Sequence, residues 1–167
     1  MGKNSKMQPL SNTAVWTIGY SNRSVDRLME LLREHKIRTL IDIRSFPTSK
    51  VEHFKREEME QWLPEHEVEY VWLGKELGGY RRGGYRAHMK TKLFRDGVRK
   101  LLELAEKQRV CIMCMEKNPE YCHRRFVSAY LEGRGVEVVH IIKKGQVSLM
   151  KFKEVTIISL REENANP

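Results

Sequence analysis

The feature that most constrains the fold of this chain is a repeated switch between two periodicities. Short apolar runs alternate with longer segments whose apolar residues recur every three or four positions. AVWTIGY (Ala14–Tyr20) predicts a first strand. Ser24 then stands as an N-cap before Val25, Leu28, Met29 and Leu32, a one-sided helical stripe. RTLIDIR (Arg38–Arg44) predicts a second strand, stopped by SFP. Phe54–His66 reads as a helix with Met59, Trp62 and Leu63 on one face and Pro64 weakening its end. VEYVWLG gives a third strand, followed by a basic, glycine-rich loop. Lys92–Gln108 is the most regular helix, with Phe94, Val98, Leu101, Leu102 and Ala105 in one stripe, and RVCIMCM is a fourth strand. Asn118 and Pro119 predict the next helix start, as cap and first helical residue. Phe126, Val127, Tyr130 and Leu131 supply its buried face, and Gly133 and Gly135 end it. VEVVHII is a fifth strand and EVTIISL, near the C-terminus, a sixth.

Strands alternating with helices predict a largely parallel sheet with right-handed crossovers. The expected fold class is therefore α/β: a single three-layer domain with a mostly parallel central sheet of five to six strands and helices on both faces. A length of 167 residues suits one domain. Residues 1–13 and 161–167 read as mobile tails around a domain over 14–160.

Two classes are excluded or disfavoured by composition. No apolar run approaches the roughly 20 residues needed to span a bilayer, so no membrane partner is expected. The N-terminal MGKNSKMQPLSNTA is polar and lacks an apolar signal core, which predicts a cytoplasmic protein. In that setting three cysteines are not a disulfide framework; they suggest free thiols, a redox pair or ligands.

The net charge of +9 is uneven. Lys75–Lys100 holds nine Lys or Arg against two acids, +7 of the total. Such an excess predicts an anionic partner, either a small molecule or nucleic acid, or a solvated basic face.

In an open parallel sheet, ligands bind beyond the carboxyl ends of the strands. Arg44, Cys114, Glu116, Cys122 and His123 all fall at that predicted edge. The stretch CMEKNPEYCHRR (Cys114–Arg125) is the densest part. With Asn118 as cap, Cys122 would lie in the first turn of its helix, where unpaired N–H groups and the helix dipole lower a thiol's pKa. Cys114 closes the preceding strand, across seven intervening residues, and the pair can be free or bridged. The candidate reacting groups are Cys114 and Cys122, assisted by Glu116 or His123, with Arg124 and Arg44 binding a negative group.

Cys111, in mid-strand, reads as structural, and a CxxC pair with Cys114 would lie on a strand, not at a helix start. Residues three apart on a strand face opposite ways, so these two do not share a zinc ion, and no metal or cofactor is assigned. The Cys–Arg spacing of phosphatase loops is not matched by Cys114 and Arg124. In the basic loop, Arg81, Arg82 and Arg86 interleave with Tyr80 and Tyr85, a pattern suited to phosphate contact and base stacking. A structural alternative pairs Arg44 with Asp42 and Arg124 or Arg125 with Glu116.

TIGYSNRS, LIDIRSFP, ELGGYRRGGYRAHM and CMEKNPEYCHRR, in this order, together resemble the domain-of-unknown-function family 488, DUF488, from about Trp16 to Ile142. The resemblance implies a small bacterial or archaeal α/β domain in which Cys114 and Cys122 mark a C-x7-C-H-R motif. It also implies that Tyr20, Asn22, Arg44, Pro47, Glu116, His123 and Arg124 line a shared pocket. It brings no activity with it. Two functions are therefore expected to compete. One is a thiol-containing, anion-binding pocket that acts on a small phosphorylated or nucleotide-like substrate. The other is a nucleic-acid-binding module built on the basic loop 75–100. No oligomeric state is assigned.

Overall fold

The structure, a computed structural model, describes residues 13–152. A six-stranded sheet forms its centre: β1 (Ala14–Gly19), β2 (Thr39–Asp42), β3 (Glu69–Trp72), β4 (Val110–Cys114), β5 (Glu137–Lys143) and β6 (Gln146–Ser148). The strands lie in the order β3-β2-β4-β1-β5-β6. The first five are mutually parallel, and β6 returns antiparallel along β5. This is the single α/β domain that the alternating pattern predicts. Among the described residues no helix is long and apolar enough to cross a membrane.

Helices cover both faces. α1 (Val25–Glu34) and α2 (Arg56–Glu65) pack on one side, with Leu28, Met29, Leu32, Met59 and Leu63 against Ile18, Leu40 and Met113. α5 (Lys92–Lys107) and α6 (Arg124–Gly133) pack on the other, with Phe94, Val98, Leu101, Val127 and Leu131 against Val15, Ile41 and Ile112. Between β3 and α5 lie two short helices, α3 (Gly74–Leu77) and α4 (Tyr85–Met89), where the sequence suggests only a loop. Because helices cover both faces, β2 and β4 are buried along their whole length and read as continuous apolar runs. β4 still alternates: Cys114 faces the α5–α6 layer, and Cys111 faces α1 and α2. Cys111 is therefore a core residue on the opposite side of the sheet, and burial pushes its thiol pKa well up.

Two expectations need correction, and a third falls outside the described residues. The helix expected over Phe54–His66 begins at Arg56, after a 3₁₀ turn (Glu52–Phe54) that buries Phe54 completely. Asn118 caps a 3₁₀ turn over Pro119–Tyr121, not the helix itself; its side chain accepts from the Glu120 N–H. Cys122 then adopts an extended backbone (φ −136°, ψ 154°), which breaks the turn, and α6 starts only at Arg124. Finally, EVTIISL lies outside the described residues. The sixth strand seen is Gln146–Ser148, turned back on β5 at Gly145 with φ 71°.

The connections position the site. After β1 and β2 the chain moves to the face of α1 and α2. After β4, which lies between them, it moves to the opposite face and α6. A crevice opens where neighbouring strands send their chains apart, the usual ligand position in such sheets.

Candidate functional site

The crevice holds a cavity of about 500 Å³. Tyr20 reaches it from the end of β1, Arg44, Ser45, Phe46 and Thr48 from β2, with Pro47 outside the lining, and Cys114 to Glu116 from β4. Tyr121, Cys122 and His123 close it from the turn before α6, and Gly79 and Tyr80 from beyond α3. The basic segment is pinned to this edge. Ser45 Oγ accepts from the Tyr80 N–H at 3.0 Å, and a Cβ on Gly79 would sit 2.8 Å from His123 Nδ1. Only glycine lets the backbone pass that close.

Cys114 and Cys122 form a disulfide on the cavity floor, with Cys122 9% and Cys114 3% exposed. The extended conformation of Cys122 brings its sulfur back toward the end of β4. Arg124 contacts both sulfurs: its Nε donates to Cys114 Sγ at 3.1 Å, and its backbone N–H, at the start of α6, to Cys122 Sγ at 3.4 Å. Its remaining donors go to Thr17 Oγ1 at 3.0 Å and to the Glu116 and Lys117 carbonyls. Arg124 thus meets the backbone of Glu116, not the carboxylate expected from sequence, and Arg125 donates to the Glu120 carbonyl.

Arg124 is fully buried, and among the described residues no carboxylate pairs with it. Burial pulls its pKa down to about 10, leaving it cationic at neutral pH. A buried cation with no carboxylate in ion-pair contact is costly, and here it lies against sulfur.

His123 supplies the second polar group. Its Nε2 lies 2.8 Å from the Ile43 carbonyl, which only accepts, so Nε2 carries the proton. Nδ1 is then an open acceptor 3.7 Å from Cys122 Sγ. Burial lowers the His123 pKa despite the Ile43 hydrogen bond, so the ring is held neutral.

The arginines expected to bind anions have other partners. Arg44 forms a two-pronged pair with Asp42 (Nε–Oδ1 2.9 Å, Nη2–Oδ2 2.7 Å) and donates to the Phe54 and Thr48 carbonyls at 2.8 and 3.2 Å. Burial alone would lower its pKa, but the carboxylate more than reverses that. Arg44 therefore faces the cavity as part of its wall, with its donors already engaged; this is the structural alternative read from sequence. Tyr20 lies under its guanidinium, 5.1 Å from ring centroid to Cζ. Asn22 is exposed and outside the cavity lining. Arg81 folds back onto the carbonyls of Gly74, Lys75 and Gly78, and Arg86 lies over the Phe126 ring, which leaves Arg82 as the exposed one of the three. Much of the basic excess on α5 is paired, as in Lys92–Asp96 and Lys100–Glu76.

Two groups behind Arg124 escape sequence reasoning. Thr17 Oγ1 accepts from Arg124 and is also hydrogen-bonded to Nδ1 of the buried His140 at 2.7 Å. Burial and the Arg124 charge lower the His140 pKa to about 4. An unfolded histidine titrates near 6.5, so between 6.5 and 4 the unfolded chain binds a proton that the folded one refuses. This part of the stability is present above pH 6.5 and is lost as pH falls toward 4. In urea titrations across that window, His140→Gln should flatten the pH slope by up to one proton, about 1.4 kcal/mol per pH unit. An unchanged slope would show that His140 titrates normally.

No curated protein and no solved structure was found to match this chain. A family model does match. Described as Domain of unknown function DUF488, it covers residues 24–131, a shorter span than the Trp16–Ile142 likeness read from the motifs. The matched span runs from α1 into α6 and includes both sulfurs, His123 and Arg124, while β1 and β5 lie outside it. With more than half of its residues covered by that match, the chain belongs to the DUF488 family.

Proposed function

We propose that the protein is a thiol–disulfide exchange enzyme whose Cys114–Cys122 pair works at the floor of a small-molecule cleft. The observation that carries this reading is Arg124: a buried cation without a carboxylate, donating to Cys114 Sγ. A thiolate at Cys114 would supply the missing negative charge, so the site favours the form in which that sulfur departs with an electron pair.

In the reduced protein, Cys122, the more exposed sulfur, gives its proton to His123 Nδ1 and attacks one sulfur of a substrate disulfide. One S–S bond forms, one breaks, and a thiolate leaves, taking up the proton from His123. The Cys114 thiolate then attacks Cys122 Sγ, displacing the second substrate thiolate and closing the protein disulfide. Two electrons have passed to the substrate. Two equivalents of a low-molecular-weight thiol restore the dithiol by the reverse route. The first attacks Cys122, and Cys114 leaves as a thiolate held by Arg124. The second attacks the resulting mixed disulfide, releasing Cys122 and the oxidised thiol as its disulfide. Arg44 and the basic segment have no part in these steps, and a nucleic-acid role gains no support from their partners.

The test is alkylation of the reduced protein by iodoacetamide as a function of pH, read for each cysteine by peptide mass. Cys114 should titrate well below the reference thiol value of about 8.5, and Arg124→Met should raise it by about one to three units. Arg124→Lys, which keeps the charge and loses the fork, should fall between and serves if the methionine variant does not fold. If Cys114 and Cys122 both titrate near 8.5 and ignore residue 124, the reading fails.

A further inference from the structure

We infer that the molecule received by this cleft carries a planar aromatic ring, clamped at the mouth by Phe46, Tyr80 and Tyr121. The inference rests on the thiol–disulfide reading and names its substrate class: a small disulfide or thiol with an aromatic ring.

Among the described residues, three aromatic side chains stand largely in water: Phe46 (65% exposed), Tyr80 (80%) and Tyr121 (75%). All three line this one cavity. They come from separate segments, after β2, after α3 and in the 3₁₀ turn before α6, so no single loop accounts for their convergence. Other tyrosines and tryptophans are buried or half-buried and reach polar partners: Trp62 donates to the His53 carbonyl, Trp72 to the Arg44 carbonyl, Tyr85 to the Leu77 carbonyl and Tyr70 to Asp42. The fold engages those rings and leaves the Phe46, Tyr80 and Tyr121 side chains largely in water.

Phe46 and Tyr80 already meet edge to face at 5.4 Å between centroids, which fixes one wall. Met115, 54% exposed, adds a polarizable thioether to the lining. Large apolar side chains gain from a partner that removes them from water, and a ring is the partner that suits aromatic and thioether faces. The cavity volume of about 500 Å³ lies within the range of small-ligand sites. The Arg44 guanidinium is closed onto Asp42, so the ring, not a phosphate, supplies the binding. Beneath the rim lies Cys122, the sulfur that a ring-bearing disulfide would present itself to.

The experiment measures disulfide exchange by the reduced full-length protein with dithiodipyridine, an aromatic disulfide, and with bis(hydroxyethyl) disulfide, an aliphatic one. Each rate is divided by that of glutathione with the same disulfide, which removes intrinsic reactivity. The aromatic probe should show saturation and a normalised preference of about tenfold or more, the size expected from about 1.4 kcal/mol of ring contact. Phe46→Ala/Tyr80→Ala/Tyr121→Ala should remove that preference, bringing the normalised aromatic rate down to the aliphatic one. Equal normalised rates that ignore the triple variant would overturn the clamp while leaving the exchange reading intact. Faster reaction with a tryptophan-containing disulfide peptide than with dithiodipyridine would overturn the small-molecule class. Failure of both disulfides to react would remove the exchange reading itself.

Discussion

Cys114→Ser should stop turnover with a disulfide substrate after one half-reaction and leave Cys122 carrying half of that substrate as a mixed disulfide. The reason lies in the unequal surroundings of the sulfurs. Cys122 is the more exposed and faces the open acceptor of His123, so it is placed to attack. Cys114 lies deeper, against the Arg124 guanidinium, so it is placed to leave and to resolve. Serine at 114 keeps the shape but cannot close the second S–S bond, so the adduct persists. Intact mass should show a stoichiometric adduct that a thiol reductant removes. Cys122→Ser should form no such adduct and lose activity altogether. An adduct on Cys114 in the Cys122→Ser protein, at a rate matching wild type, would reverse the assignment of attacking and resolving sulfur.

The second large effect is on stability. Asp42→Ala should cost about 3–5 kcal/mol, the usual result of breaking one side of a buried ion pair. Asp42 is completely buried and accepts from Arg44 Nε, Arg44 Nη2, the Arg44 backbone N–H and the Tyr70 hydroxyl. Its removal leaves a guanidinium inside the protein without a counter-ion. Against a typical total stability of about 5–15 kcal/mol, that is a large share. Asp42→Ala/Arg44→Met, which takes out both charges, should recover part of the loss, because the penalty comes mainly from the stranded cation. Urea denaturation of the three proteins reads this directly. No recovery in the double variant would mean that the loss comes from the Tyr70 and backbone contacts instead.

Much of the layered fold was legible because it rests on local rules. α1 and α5 could be placed almost to the residue from their apolar stripes, and Ser24 caps the first as its position suggests, accepting from the Arg27 N–H. The five parallel strands followed from apolar runs of the right length. The candidate site was legible in part: two cysteines, a histidine and an arginine in one stretch do converge on the sheet edge. The start of α6 was misplaced because Asn-Pro opens a 3₁₀ turn as readily as an α-helix. The conformation of Cys122 that decides between them brings its sulfur to Cys114, a contact that local sequence does not contain. Arg44 reads as a ligand or as the partner of Asp42 until burial is known. β6 has three half-exposed or exposed residues and no apolar run to announce it. Phe46 and Tyr121 carry no periodic signal, and only the strand order reveals that they face the same space.

The parting of the chain at β4 also divides the labour of the protein between two sets of segments. The rim is drawn from the stretches after β2 and α3 and from the tip of a 3₁₀ turn, all at the surface. The sulfurs, the guanidinium and the imidazole belong to the β4–α6 connection, anchored from behind by a hydroxyl of β1. Under the exchange reading, substitutions at the mouth should retune which molecules are admitted while the sulfur pair beneath keeps its setting.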